Sequence, residues 1–379
     1  MSKLSELLEY LETHLDEEHL EHSLELHKKA LTCQTVPRLP LRSNFPLEEA
    51  NLPLDITPYP YEETYEDMEK MMFNELLPAL MCTELQDDSF PMIRANYGVA
   101  TMPSLFGAKS QIVNGNMPWV DHFENEEEIQ RIVDKGVPDS SFLWQRTLDT
   151  QEYYNEVLSK YPLCRKHVHI FHPDLQGPFD ISHLLWGSDI YMAIYDNPQL
   201  VKELMEVVTQ TYIKCMKQIK KTTTDDVDGG AFAYHWGMLY SGGYVLRDDS
   251  AVNLSKDDFN EFVRPYDEKI FKELGGGSIH FCGRADQWIF DMIQMEGCKG
   301  ININWMPNKV FGVEFAQFLQ PEFAKRKMPL NTYQLQPYQF DEFMDAKVFD
   351  TGISLFAFAG SKEQAQSFVE RAKSDSVCL

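Results

Sequence analysis

At residues 275–289 the chain reads "GGGSIHFCGRADQWI". Its centre, residues 278–283, is a short apolar run bounded by glycines, which is typical of a buried strand. Strand residues at i and i+2 share a face, so His280 and Cys282 are expected to point the same way, within a few ångströms of each other. An imidazole and a thiolate are a common pair of zinc ligands, but two ligands do not make a site. The role of the pair depends on where this strand lies in the fold.

Seven further segments have strand character, and helical segments separate them. The eight candidates are residues 38–42, 90–96, 167–172, 229–236, 278–283, 300–304, 328–333 and 352–360. Eight strands alternating with helices predict an α/β fold, a (β/α)8 TIM barrel in which residues 278–283 form the fifth strand. The long stretches at 97–166 and 235–260 are then elaborated βα loops rather than further domains.

The first thirty residues are predicted to form a helical extension, followed by one barrel domain at 31–379. Leucines recur there at helical spacing, at Leu4, Leu7, Leu8, Leu11 and Leu15. Four histidines stand among the acids, namely His14, His19, His22 and His27, and we expect a solvated helix face rather than a metal site. The extension is expected to cover a barrel end or to take part in a subunit contact, so a homo-oligomer is compatible with it.

Composition excludes several classes of function. The chain has 379 residues with 34 Lys+Arg against 59 Asp+Glu, a net charge of −25, which opposes binding to nucleic acid. No apolar run approaches the roughly 20 residues of a membrane span, and the N-terminus is too polar for a signal peptide. Seven scattered cysteines without a CxxC motif do not indicate a disulfide framework. We expect a soluble, cytoplasmic protein that acts on a small molecule, without nucleic acid or membrane.

Polar side chains collect at the predicted carboxyl ends of the strands, where barrel enzymes place their active sites. Burying unpaired amides and imidazoles is costly, so this pattern favours a site over an inert barrel end. Trp236 lies close by in sequence and could line an apolar pocket. The polar residues at these strand ends are Arg42, Asn44, Asn96, Tyr97, His172, His235, His280, Cys282, Asn302, Asn304, Tyr333 and Gln334.

Two longer stretches carry a resemblance to a known family. The first is "HPDLQGPFDISHLLWG" at 172–187, and the second spans 229–289, from an Asp-containing loop through "FNEFVRPYDEKIF" to a strand ending in His-x-Cys-Gly. They resemble the uroporphyrinogen decarboxylase superfamily, which includes zinc-dependent corrinoid and coenzyme M methyltransferases. The resemblance covers most of the chain from about residue 30 and implies a (β/α)8 barrel.

The methyltransferase branch of this superfamily implies a zinc site. There the His-x-Cys pair binds zinc together with a cysteine on the last strand and often a carboxylate after the sixth, and His280 and Cys282 match the first half of that set. The last strand here, "GISLFAFAGS" at 352–361, has no cysteine, and the sixth ends in Asn302 and Asn304 instead of an acid. Further ligands would have to come from elsewhere on the rim, and the candidates are His172, His235, Asp248 and Asp249.

The decarboxylase branch implies a different use of the same rim. Its N-terminal arginine-rich segment binds substrate carboxylates, and this chain has "RLPLRSNFP" at 38–46 instead, with Arg38 and Arg42. In a metal-free mechanism His235, His280 and either Arg247 or Arg284 would bind an anionic substrate and donate a proton. A third alternative is a non-catalytic barrel that binds a tetrapyrrole or a partner protein.

We predict an enzyme of this superfamily, a methyltransferase that moves a methyl group to or from a corrinoid. Zinc is the expected metal, and a corrinoid protein and a small-molecule substrate are the expected partners. The metal ligands are His280 and Cys282, and the catalytic candidates are His235, Arg247 and Asp249. The substrate-binding candidates are Arg42, Asn96, His172, Trp236, Arg284, Asn302 and Asn304.

Overall fold

The computed structural model describes residues 2–50, 52–304 and 311–374. The strands are β1 (Leu41–Asn44), β2 (Met92–Ile93), β3 (Lys109–Gln111), β4 (Trp119–Asp121), β5 (His169–Ile170), β6 (Asp226–Val227), β7 (Phe232–His235), β8 (Met238–Ser241), β9 (Val245–Arg247), β10 (Gly277–Cys282), β11 (Cys298–Asn304), β12 (Leu330–Leu335) and β13 (Ile353–Phe358). The α-helices are α1 (Lys3–His14), α2 (Glu17–Leu31), α3 (Tyr61–Glu66), α4 (Met68–Leu76), α5 (Leu80–Leu85), α6 (Thr101–Leu105), α7 (Glu126–Lys135), α8 (Phe142–Leu158), α9 (Pro162–His167), α10 (Pro178–Trp186), α11 (Ile190–Asp196), α12 (Pro198–Ile219), α13 (Lys256–Phe262), α14 (Arg264–Leu274), α15 (Ile289–Met292), α16 (Val313–Arg326), α17 (Phe340–Ala346) and α18 (Lys362–Ser374).

Parallel strands form the centre of the molecule. Six of them make one sheet in the order β1-β13-β12-β11-β10-β9, and β2 pairs with β5 in a separate parallel ladder. The strands of the larger sheet are buried almost throughout, as parallel strands covered by helices are. The fold is therefore mixed α/β and consistent with a TIM-barrel-like architecture. Within the described residues, no ladder joins the β2–β5 pair to the six-stranded sheet.

The fourth predicted strand, at 229–236, is wrong as a member of the parallel set. β7 lies in that segment and pairs antiparallel with β6 and β8. The fourth strand that runs parallel to its neighbours is β9, inside the stretch predicted as a loop at 235–260. The two-residue turn Trp236–Gly237 has positive φ at both positions, 45° and 77°, which is the hairpin geometry that reverses the chain. β9 has only three residues, too few to stand out as an apolar run.

The other seven predicted segments each overlap a strand of a parallel ladder, and β10 is the fifth such strand along the chain. The predicted loop at 97–166 contains the β3–β4 hairpin and several helices. α12 shows how the helices cover the strands. Asn197 caps its first turn and Pro198 occupies the first position, where a missing N–H costs nothing. Its buried face, which includes Leu204, Val208 and Tyr212, packs between α10 and α14.

The N-terminal extension consists of two helices, separated at Asp16, whose side chain accepts a hydrogen bond from the backbone N–H of His19 at 3.0 Å. The α1 leucines are buried against the main unit. The expectation of solvated histidines is wrong for His27, which is fully buried and contacts Asp88 O at 2.9 Å and Ser354 Oγ at 3.2 Å. Because Ala30 O accepts the N–H of Gly352 just before β13, α2 packs at the amino ends of the strands.

Two further expectations concern the whole chain. No helix in the described ranges combines the length and apolar character needed to cross a bilayer. The six described cysteines are all free thiols, and Cys378 lies outside the described residues.

Candidate metal and substrate site

Three potential metal ligands meet at the carboxyl ends of β9 and β10. Asp249 follows β9, while His280 and Cys282 lie on β10, and their ligand atoms all fall within 4.8 Å of one another. His280 Nε2 is 3.5 Å from Cys282 Sγ and 3.6 Å from Asp249 Oδ1. We call these three residues the triad. One nitrogen, one sulfur and one oxygen ligand leave a fourth tetrahedral position open, as catalytic zinc sites do.

Asn302 orients the imidazole of the triad. Its Oδ1 lies 2.5 Å from His280 Nδ1, and the two residues are register partners on β11 and β10. An amide oxygen only accepts, so Nδ1 carries the proton and Nε2 presents its lone pair toward Cys282 and Asp249. Zinc-binding histidines are commonly fixed in this way through their other nitrogen. Asn302, a substrate-binding candidate by sequence, is fully buried and acts here on His280.

The Asp249 segment is held from two sides. Asp249 Oδ1 accepts the backbone N–H of Cys282 at 2.6 Å. The carboxylate of Asp180, in the first turn of α10, accepts the N–H groups of Asp249 and Ser250 at 2.8 and 2.6 Å. These bonds fix the position of Asp249, the third ligand. The sequence analysis named Asp249 both as a catalytic candidate and as one of four possible further metal ligands.

Burial sets the protonation states of two residues of the triad. Burial, and next the charge of Asp249, raise the pKa of the Cys282 thiol well above its usual range. Burial lowers the pKa of His280, so its imidazole is neutral at pH 7. A divalent metal would lower the pKa of Cys282 again, because coordination deprotonates a thiol. It would bind the His280 imidazole in its neutral form, which is already present at pH 7. The donor set therefore fits Zn²⁺.

His235 belongs to a second group beside the triad. Arg247 Nη1 pairs with Asp174 Oδ1 at 2.5 Å, and Arg247 Nη2 donates to His235 Nε2 at 3.2 Å. The Trp236 ring lies between the groups, with its centroid 4.4 Å from the His235 ring and 4.7 Å from the His280 ring. Burial, and next His172 and Arg247, hold the pKa of His235 well below its usual range. His235 is therefore neutral at pH 7, and one of its nitrogens is engaged by Arg247.

The described contacts of His172 do not fit the substrate-binding role predicted for it. Its Nδ1 lies 2.9 Å from Pro173 O, and its Nε2 accepts the N–H of Val245 at 3.1 Å. Both nitrogens are used by backbone groups, and the side chain is fully buried. His172 ties the end of β5 to β9 and is not one of the groups that lie within ligand distance of the triad.

Two cavities open at the carboxyl ends of the parallel strands, a region called the mouth below, and Arg42 and Trp236 line both. The smaller, about 150 Å³, also contacts Glu75, Ser89 and Arg94, and the larger, about 220 Å³, also contacts Tyr240 and Asn304. The Arg42 guanidinium stacks on Phe356 with its carbon 4.5 Å from the ring centroid and donates to Trp236 O. Among the described residues, no carboxylate forms an ion pair with Arg42. This charge is therefore available to an anionic ligand.

The remaining candidates have other contacts. Asn96 donates to Glu75 Oε1 at 2.7 Å and so supports a cavity residue. Asn304 lines the larger cavity and accepts from Gln334 Nε2 at 2.8 Å. Arg284 pairs with Asp286 on the rim, and its guanidinium lies 4.2 Å from the Phe315 ring centroid.

Sequence reasoning missed four charged residues of this region, namely Glu75, Arg94, Asp174 and Asp180. Asp174 stands two residues after His172, at a predicted strand end, so a signal for it was present. Arg94 lies within the predicted strand 90–96, and its Nη1 is 3.4 Å from Asp174 Oδ2. Glu75 and Asp180 lie on helices α4 and α10, where a single acid is an ordinary surface residue. Only the tertiary structure brings them to the mouth.

Comparison with known proteins gives a fold and no family. No family model matches the chain, and no curated protein matches it. Among solved structures the chain is similar to a methyltransferase from Methanosarcina mazei, with a TM-score of 0.61 and 16% identity over 94% of this chain and 98% of that one. At that identity the similarity shows a shared fold and carries no residue-level assignment.

Proposed function

We propose that this protein is a methyltransferase that moves a methyl group to or from a corrinoid, with Zn²⁺ held by Asp249, His280 and Cys282. The single observation that carries the proposal is the convergence of these three ligand atoms within 4.8 Å at the carboxyl ends of neighbouring strands. The shared fold with a methyltransferase supports it. Bound there, zinc would supply a Lewis acid that keeps a thiol in its thiolate form at neutral pH.

The chain's own residues prepare the site for that chemistry. Asn302 keeps the lone pair of His280 Nε2 directed at the metal position, and Asp180 holds the Asp249 backbone. Arg42, which lacks a described acid partner, would bind an anionic group of the substrate or of the corrinoid. The rings of Trp236, Tyr240 and Phe356 give the larger cavity part of its apolar lining.

Decarboxylation is the second candidate, and the smaller cavity favours it. Arg42 and Arg94 line this cavity together with Glu75, whose pKa is raised by burial. Arg42 would bind a substrate carboxylate, while Arg94 pairs with Asp174 at 3.4 Å and with Glu75 at 4.0 Å. Glu75 would be the group that returns a proton to carbon after CO₂ leaves. His235, predicted as the proton donor, is neutral at pH 7 and accepts a hydrogen bond from Arg247.

Replacing Cys282 by Ala tests the methyltransferase proposal. We expect bound zinc and methyl transfer from a methylated corrinoid to fall together, by more than about 100-fold, because losing a ligand costs more than losing its supporting contact. Cys298→Ala is the matched control, since Cys298 is a buried thiol on the adjacent strand β11 with Sγ 3.8 Å from Gly300 O. It should retain zinc and activity.

Three results would decide against methyl transfer. These are full transfer activity in Cys282→Ala, a wild-type protein that binds neither zinc nor corrinoid, and CO₂ release from a carboxylated substrate that survives Cys282→Ala. In the last case Glu75→Gln should abolish CO₂ release, because it removes the proposed proton donor while keeping the side-chain shape. Metal content measured on protein purified without an affinity tag keeps the zinc result free of tag-bound metal.

A further inference from the structure

A second group of oxygen ligands lies on the other face of β9 from the triad. It consists of Asp248, Asp267 of α14, Tyr212 of α12 and Tyr244, which precedes β9, and each is at most 2% exposed. In the described structure none of their four carboxylate oxygens or two phenol oxygens has a hydrogen-bond donor. The two carboxyl groups contact each other, but that contact is a hydrogen bond only if one carries a proton.

Strand geometry brings these side chains together. Arg247 and Asp249 face the mouth, where they contact Asp174 and His280. Tyr244 and Asp248 face the helices, where they contact Phe271 and Asp267 of α14. The first turn of α14 places Asp267 against Asp248, and α12 packs along α14 with Tyr212 on its buried face. The Tyr212 hydroxyl interacts electrostatically with both acids, and the Tyr244 hydroxyl with Asp267. The Tyr244 ring also packs on Phe271 of α14, with the ring centroids 6.2 Å apart, so both phenols lie in the same buried region as the acid pair.

Among the described residues no cation forms an ion pair with either carboxyl group, and burial raises the pKa of both well above its usual range. Buried carboxylates are normally paired with a cation or accept several hydrogen bonds. Arg247 is the nearest described cation in sequence, and its charge also acts on the Tyr212 hydroxyl. Its Nη1 and Nη2 contact Asp174 and His235 on the other face of the strand, while its buried Nε has no described partner. Six oxygen ligands without a donor are the coordination environment of a hard cation, and Mg²⁺ is disfavoured because it dehydrates reluctantly.

We propose that a dehydrated hard cation, Na⁺, K⁺ or Ca²⁺, binds between Asp248 and Asp267, with the hydroxyl oxygens of Tyr212 and Tyr244 as neutral ligands. The ion would tie the end of β9 to α12 and α14. Asp248 stands between Arg247 and Asp249 in the chain, so the same ion would hold the segment that supplies both residues to the mouth. This site is separate from the triad and does not depend on the proposed enzymatic activity.

Thermal unfolding of the full-length protein in defined salts tests the proposal. Protein dialysed against EDTA and choline chloride is titrated with NaCl, KCl or CaCl₂ at constant ionic strength. We expect one of these cations to raise the Tm saturably, by at least about 3 °C at a hundredfold excess over its Kd. Tyr212→Phe and Tyr244→Phe should each raise the half-saturating concentration at least about fivefold, since each removes one ligand oxygen.

Two controls isolate the site. Tyr154→Phe removes another buried hydroxyl without a described partner, on α8, and should leave the titration unchanged. Cys282→Ala removes a ligand of the triad and should also leave it unchanged. Equal Tm values in choline and in all three salts would overturn the proposal. So would a cation effect that disappears in Cys282→Ala, or one that persists in full in Asp267→Asn.

Discussion

At the scale of single residues, Asn302 decides which nitrogen of His280 is available to a ligand. We expect Asn302→Leu to lower zinc affinity by about 10- to 100-fold, because the imidazole loses the acceptor that fixes its tautomer and orientation. Asn302→Asp is the matched control, since it keeps an oxygen acceptor and should bind zinc at least as tightly as Asn302. Competition with a chromophoric chelator at pH 7.5 measures both. Unchanged affinity in Asn302→Leu would show that other contacts orient His280.

His27 predicts a pH dependence of stability. Burial lowers its pKa to about 4 from 6.5, against an opposing effect of Asp88. Between these values the unfolded chain binds a proton that the folded chain does not, so stability present above pH 6.5 is lost as the pH falls toward 4. In wild type this amounts to about 3 kcal/mol of unfolding free energy. His27→Gln is expected to unfold with a lower free energy than wild type at pH 7. This difference in unfolding free energy should become smaller as the pH falls from 6.5 toward 4.

Denaturant unfolding at pH 7.0, 5.5 and 4.5 measures that difference. Other buried histidines also depress stability in acid, so the comparison between the two proteins isolates His27. If the difference in unfolding free energy between His27→Gln and wild type stays constant with pH, His27 binds its proton as readily in the folded chain as in the unfolded chain.

Residue-scale prediction from sequence succeeds where partners are local. The common face of His280 and Cys282 follows from their i, i+2 spacing. His172 could not be assigned in this way, because one of its partners is the backbone N–H of Val245, 73 residues away. Asp248 and Asp249 are chemically equal in sequence, and only the position of β9 separates them onto two faces.

At the scale of elements, the hairpin between β7 and β8 shapes the mouth. Gly237 stands in its turn with φ 77°, and a Cβ there would lie 2.7 Å from Arg42 Nη1. Gly237→Ala should therefore cost about 1–3 kcal/mol and displace the Arg42 guanidinium. Gly107→Ala is the control, because Gly107 has φ 87° and open space around its Cβ position. Gly107→Ala should lose only the unfolding free energy that an alanine with positive φ costs.

Unfolding free energies of the two variants check this prediction, and equal losses would contradict it.

The hairpin also shows why one strand was misassigned. Its turn is Trp-Gly, whereas the usual two-residue hairpin turn has Asn or Asp before Gly, so the local sequence carries a weak turn signal. A left-handed conformation at Trp236 is held by its packing, which no local pattern reveals.

At the scale of the whole molecule, the N-terminal helices pack as part of the folded unit. Leu11 is fully buried, and the neighbouring Glu12 carboxylate accepts the backbone N–H groups of Leu163 and Cys164, each at 2.8 Å. Leu11→Ala should lower the unfolding free energy by about 2–5 kcal/mol, because it leaves a cavity between α1 and the main unit. The exposed Thr13→Ala on the same helix should change it by less than about 0.5 kcal/mol.

Tryptophan fluorescence during denaturation measures this effect on the main unit, since the described tryptophans lie outside α1 and α2. A main transition unmoved by Leu11→Ala would mean that α1 unfolds independently. The parallel α/β architecture was predictable because seven of the eight apolar segments overlap parallel strands. The sequence left open whether the N-terminal extension covers a barrel end or joins a subunit contact. The packing of α2 at the amino ends of the strands involves contacts of His27 with Asp88 and Ser354, which are far away in the chain.

The contact of Trp236 with both sides of the mouth has a spectroscopic consequence. Its indole lies against His280 of the triad and under the Arg247 guanidinium, whose carbon is 4.6 Å from the ring centroid. An indole's emission responds to neighbouring charge, and a metal ion on His280 or an anion near Arg247 changes the charge on one side of this ring. The mouth therefore contains its own fluorophore, placed where ligand occupancy alters the local field, and occupancy can be followed optically without an attached dye.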